Sequence, residues 1–179
     1  MIDLHTHILP GLDDGPETMQ GSLALARAAV ADGTTVMAAT PHVDHVWEVD
    51  PEDVAPLVKS VREALADARI ALEVVAGAEV SLTRWRDLDA ADRELVRLGD
   101  GPYVLLECPH DPIAPDFAER VFELRLRGEQ IVLAHPERCP LFQREPERLQ
   151  HLAEAGVLNA ITAGSFTGAF GRTVRRRRR

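Results

Sequence analysis

Cysteine is scarce in this sequence: of 179 residues only two, Cys108 and Cys139, carry a thiol. That number gives no disulfide framework and fits a reducing, cytoplasmic setting. Neither cysteine begins a C-x5-R motif, because the sixth residues on are Ala114 and Glu145, so thiol-based phosphoryl chemistry is not expected. Long apolar runs are lacking too, and none approaches the ~18 residues of a membrane span. A signal-peptide pattern is absent, since polar side chains begin at Asp3. There is no excess of basic charge either. The formal charge is −9, and since Arg175 to Arg179 contribute five positive charges the remaining body carries −14. So acidic a body argues against a general nucleic-acid or acidic-lipid binder, and the arginine run reads most simply as a solvated end. No linker, low-complexity stretch or repeat divides the chain, so residues 1–174 are expected to form one domain, followed by a basic tail at 175–179.

What is present is the composition of a globular protein, with 45% hydrophobic and 27% charged residues. Short apolar runs at Met1–Leu4, Thr35–Ala39, Leu72–Ala76, Tyr103–Leu106, Gln130–Ala134 and Leu158–Ile161 predict strands. Helical spacing lies between them: Met19, Leu23, Ala26 and Val30 share one face, as do Val54, Val58, Val61 and Leu65. Asp50 is placed as an N-cap before Pro51, and Gly33, Gly128 and Gly156 are placed as C-caps. Strand–helix units recurring about every 27 to 37 residues predict a parallel α/β fold of the TIM-like (β/α) barrel type.

In such folds the chemistry collects at the C-terminal strand ends. The first predicted strand leads into His5 and His7, the second into His42, the third into Glu79, the fourth into Glu107, and the fifth into His135 and Arg138. Residues two apart on a strand share a face, so His5 and His7 can bind one ion together, and the Pro10-Gly11 turn can return Asp13 or Asp14 towards them. Imidazole with carboxylate suits zinc, iron or manganese. A lone H-x-H is weak evidence for a metal site; successive strand ends each supplying such a group are strong evidence.

The stretches "MIDLHTHILPGLDDGP", "ATPH", "AGAEV", "LLECP", "AHPER" and "TAGSFTGAFG" resemble the PHP superfamily of metal-dependent phosphatases. Within it they are most similar to the bacterial protein-tyrosine phosphatases of capsule and exopolysaccharide synthesis, the CpsB/CapC type. The resemblance implies a distorted PHP-type barrel and a cluster of two or three divalent ions, manganese first, with iron or zinc as alternatives. It places His5, His7 and Glu79 around one ion, Glu79, Glu107 and His135 around a second, and Asp14 and His42 at a third. Arg138 matches the arginine that contacts substrate phosphate. The implied substrate is phosphotyrosine on the tail of a tyrosine autokinase. The family pattern also continues into a further strand with an Asp-x-His motif, so a domain lacking its last strand, impaired activity, and either self-association through an exposed edge or lower stability than a full-length relative are expected.

Two alternative functions remain open at this level: a small-molecule phosphoesterase resembling histidinol-phosphate phosphatases, and a catalytically impaired metal-binding regulatory domain. For other residues the plain reading dominates. Asp44 and His45 read as ordinary loop residues, His151 as a surface residue, and both cysteines as small buried hydrophobes. His110 divides evenly between a loop role and substrate contact.

Overall fold

A computed structural model describes all residues except 111–113, 172–173 and 175–179, so the basic tail lies outside the described residues. Two compact units divide the chain, Met1–Leu105 and Leu106–Arg179. No described helix is long and apolar enough to cross a membrane.

The first unit runs β1 (Ile2–Thr6), α1 (Met19–Ala31), β2 (Val36–Ala39), β3 (His42–Val43), α2 (Pro51–Asp67), β4 (Glu73–Ala76), β5 (Glu79–Val80), α3 (Leu82–Asp87) and α4 (Ala90–Leu95). The boundary between units falls within β6 (Tyr103–Glu107). β1, β2 and β4 form a parallel three-stranded sheet in the order β1-β2-β4, while β3 pairs in parallel with β5. The predicted periodicity is realised in α2, whose buried residues include Val54, Val58, Val61 and Leu65. Each such side chain contributes up to about 1.5–3 kcal/mol by leaving water. Asp50 caps the helix by accepting from the Glu52 N–H at 3.0 Å, and Arg62 Nε donates to the Val74 carbonyl of β4 at 2.6 Å.

The second unit continues with α5 (Phe117–Leu126), β7 (Gln130–Ala134), a 3-10 turn (Pro136–Arg138), α6 (Pro140–Arg144), α7 (Pro146–Glu154), β8 (Leu158–Ala160) and α8 (Ala163–Thr167). β7 and β8 pair in parallel, with Val132 opposite Leu158 and Ala134 opposite Ala160. Phe117 and Phe142 meet edge to face, with ring centroids 6.0 Å apart.

The parallel α/β class is as expected, and each predicted strand recurs with its ends shifted by no more than two residues. Gly33, Gly128 and Gly156 all have positive φ, as C-caps require. The two-residue strands β3 and β5 were not expected. They are set off from β2 and β4 by breaks at Thr40-Pro41 and Gly77-Ala78, after which the Glu79 N–H bonds the Pro41 carbonyl at 3.0 Å. A Cβ at Gly77 would lie 3.0 Å from Leu98 Cδ2, so the break sits tightly against that side chain. His42 and Glu79 therefore open strands of their own and face each other in register.

Candidate metal centre

In the first unit three imidazoles converge on one buried carboxylate. The Nε2 atoms of His5 and His7 are 3.2 Å apart, and they lie 3.0 and 3.3 Å from Glu79 Oε2. His42 Nδ1 approaches the same oxygen at 3.4 Å. The hydrogen-bonding register of β1 shifts between Asp3 and Thr6, an irregularity that re-aims side chains where the strand ends. Glu79 is 1% exposed, too buried for a carboxylate without charged or hydrogen-bonding partners.

These spacings fit a cation. Tetrahedral bonds of about 2.0–2.1 Å to imidazole nitrogen and carboxylate oxygen set ligand atoms about 3.3 Å apart. His5, His7 and Glu79 accordingly form a group able to hold an ion, and His7, Asp14 and His42 form another. Asp14 Oδ1 lies 3.2 Å from His7 Nδ1 and 3.9 Å from His42 Nε2, with the side chain open to solvent.

Asp13 has a different position. Its carboxylate is buried and accepts from His7 Nδ1 at 2.7 Å, from the His42 backbone N–H at 2.9 Å and from the Gly15 N–H at 3.0 Å. It thereby fixes the His7 ring and frees Nε2 for an ion, the usual arrangement for a metal-binding histidine. Burial alone would raise the Asp13 pKa, but these hydrogen bonds hold it below the ordinary carboxylate value. Burial likewise opposes charge on His7, yet its hydrogen bonds to Asp13 and Glu79 prevail and push its pKa up to about 10. The tight D-D-G turn is needed for this contact: a Cβ at Gly15 would lie 2.3 Å from the His7 carbonyl oxygen.

The second unit carries its own cluster. Glu107 ends β6, His135 follows β7, and with His110 they form a third group able to hold an ion. The rings of His110 and His135 stack with centroids 4.9 Å apart. His135 is buried and adopts φ 36° and ψ 48°, a left-handed conformation that costs a non-glycine residue energy and recurs at functional sites. Its N–H donates to the Ala160 carbonyl of β8 at 2.8 Å. The turn after it is anchored by Glu137, whose Oε1 accepts from Ser165 Oγ at 2.6 Å and from the Thr162 N–H at 3.1 Å. Arg138 closes the turn with its guanidinium 4.4 Å from the centre of the Phe170 ring. The "TAGSFTGAFG" stretch thus supports the "HPER" stretch through both Ser165 and Phe170.

Cys108 and Cys139 are fully buried. A hydrogen bond with Cys108 is the main reason the Cys139 thiol is pushed down to about 6. Burial nevertheless keeps it from an external phosphoester.

Residues 1–179 match the family model described as capsular polysaccharide synthesis, CpsB/CapC. The chain belongs to the CpsB/CapC family. It is 38% identical over 177 residues to the tyrosine-protein phosphatase YwqE of Bacillus subtilis, covering 98% of this chain and 69% of that protein. It is also 27% identical to the tyrosine-protein phosphatase CpsB of Streptococcus pneumoniae over 168 residues, covering 91% of this chain and 68% of the relative. A crystal structure from a study of these two proteins, described as metal-dependent tyrosine phosphatases, superposes with a TM-score of 0.87 at 36% identity. It covers 98% of this chain and 71% of the solved one.

Within this CpsB/CapC chain, sequence reasoning missed the supporting residues more than the ligating types. The sequence leaves Asp13 or Asp14 free to return towards the histidines and the resemblance places only Asp14 at an ion, while nothing local marks Asp13 as the group that orients His7. Glu137 went unassigned, although an acidic residue inside "HPER" was a signal. His45 instead pairs with Asp87 at 3.3 Å, and His151 is exposed on α7, in keeping with the plain readings.

Proposed function

We propose that this chain is a metal-dependent protein-tyrosine phosphatase that hydrolyses phosphotyrosine on a bacterial tyrosine autokinase serving capsule or exopolysaccharide synthesis. The observation that carries the metal reading is the packing of His5 Nε2, His7 Nε2 and Glu79 Oε2 within 3.0–3.3 Å of one another. Membership of the CpsB/CapC family, and likeness to proteins named tyrosine phosphatases, support the substrate.

We assign His5, His7, Asp14, His42 and Glu79 in the first unit to metal binding, and Glu107 and His135 in the second. Divalent ions, manganese by preference and two or three per chain, would supply Lewis-acid charge and an activated water for attack on phosphorus. Asp13 holds the His7 ring in the tautomer that presents Nε2. Arg138 offers a planar pair of donors to two phosphate oxygens and neutralises charge developing on them. The tyrosyl oxygen leaves readily, since the tyrosine hydroxyl has a pKa of about 10. We place this activity in the cytoplasm, in one domain spanning residues 1–174, with self-association open to sedimentation analysis.

The test is elemental analysis of the purified protein together with turnover of a phosphotyrosine peptide with and without added manganese. Bound metal and chelator-sensitive turnover are expected. A protein that holds metal yet leaves the peptide intact would remove the phosphatase reading, and one without metal would remove the centre itself.

A further inference from the structure

The chain's two tryptophans have opposite surroundings. Trp85 is 1% exposed in the core of the first unit, whereas Trp47 is 42% exposed and its neighbour Val46 is 80% exposed. An indole left open to water beside a polar cluster forgoes the stabilisation that burial gives. The loop carrying it is held by specific bonds. Asp44 Oδ1 accepts from the N–H groups of both Val46 and Trp47 at 2.8 Å, and Glu48 takes a left-handed conformation at φ 53°. His45 Nε2 ties the loop to Asp87 of α3 at 3.3 Å. The segment is built so that Val46 and Trp47 point outwards.

The Trp47 indole does not project at random. Its plane lies within 5° of the His42 imidazole, with ring centroids 6.4 Å apart. His42 in turn belongs to the group with His7 and Asp14 that can hold an ion. An aromatic wall therefore stands next to a group of side chains able to hold an ion. Aromatic rings associate at centroid separations of about 4.5–7 Å, and the exposed indole offers such a surface to a phenyl ring brought to the neighbouring ion group by its phosphate.

We infer that Trp47 is a specificity-determining residue that receives the phenyl ring of phosphotyrosine, with Val46 as an apolar neighbour. The inference rests on the phosphatase reading above and deepens it. Phosphoserine and phosphothreonine have no ring to place against the indole, so the wall favours aryl over alkyl phosphate esters. Trp47 donates no group to the reaction; it acts by binding.

Two measurements on the full chain loaded with manganese test this. The first is the ratio of kcat/KM for phenyl phosphate to that for methyl phosphate. Trp47→Ala should lower that ratio about tenfold, the kinetic equivalent of losing one aromatic pair with its buried area, mainly through KM. Trp47→Phe should restore most of it. The second needs no turnover: a peptide carrying phosphonomethylphenylalanine, a non-hydrolysable phosphotyrosine mimic, is titrated while tryptophan fluorescence is followed. Saturable quenching is expected in the wild type and should vanish in Trp47→Phe, where only Trp85 emits. A phosphonate mimic of phosphoserine should produce none.

An unchanged aryl-to-alkyl ratio in Trp47→Ala would overturn the inference, as would equal quenching in Trp47→Phe or none in the wild type. If the manganese-loaded wild type leaves a phosphotyrosine peptide intact, the phosphatase reading fails. The fluorescence titration still decides whether Trp47 receives the ring.

Discussion

His7 uses both ring nitrogens: Nε2 faces His5 and Glu79, and Nδ1 donates to Asp13 at 2.7 Å. With its pKa raised to about 10, this imidazole is protonated at neutral pH in the metal-free protein. An ion at Nε2 must displace that proton. Metal binding near pH 7 should therefore release about one proton from this ring, and apparent affinity should climb as pH rises. Calorimetry in buffers of different ionisation enthalpy measures the release; zero protons released would contradict it. Asp13→Asn removes the carboxylate that orients His7 while keeping an acceptor of similar shape. It should cost about 10–100-fold in metal affinity, as is usual when such an orienting partner is lost, and unchanged affinity would show that the ring needs no such anchor. Arg138 is separable from both residues. Arg138→Ala should lower phosphotyrosine turnover strongly with metal content unchanged, and lysine should rescue only partly because a point charge cannot match two oxygens at once. Wild-type turnover in the alanine variant would remove Arg138 from the mechanism.

Among the elements, the 3-10 turn Pro136–Arg138 is held from more than one side. It follows a left-handed His135, ends in Arg138 and is held from α8 by the Glu137–Ser165 contact. Ser165→Ala deletes a hydrogen bond to a half-buried carboxylate and should destabilise the fold by about 1.5–3 kcal/mol. Because the same turn aims His135 and Arg138, turnover should fall by more than the loss of folded protein explains. A denaturation curve beside an assay corrected for folded fraction separates the two effects. Such contacts explain what was legible in the sequence and what was not. Strand and helix identities follow from local periodicity and caps, as in α2 with Asp50 and its valine face. The histidines and carboxylates announced themselves by standing at strand ends. The bond from Ser165 to Glu137 spans 28 positions, and its partners carry no local pattern. The short strands β3 and β5 were likewise invisible, because two residues are too few for alternation to register. Asp13 and Asp14 are neighbours of one chemical type, so only the fold could tell the buried anchor from the exposed carboxylate.

At the scale of the whole molecule, the site couples metal, protons and stability. In the metal-free protein His7 has a pKa raised from 6.5 to about 10, so its contribution to stability is fully present below about pH 6.5 and is lost as pH rises through 10. Bound metal reverses this preference, because ions compete with protons for the same nitrogen and that competition eases as pH rises. Ligation also favours the folded chain by mass action: at a free metal concentration a hundredfold above Kd the gain is about 2.7 kcal/mol. For a chain of this size such a gain corresponds to a rise in Tm of about 5–10 °C. The metal-induced rise should therefore widen between pH 6.5 and pH 9, because protons held by His7 in the metal-free protein compete less and less with the ion. Thermal melts with manganese and with chelator across that range measure the gap, and Asp13→Asn should flatten its pH dependence by lowering the His7 pKa. A gap that stays constant or narrows with pH would mean that His7 is not the proton that metal displaces.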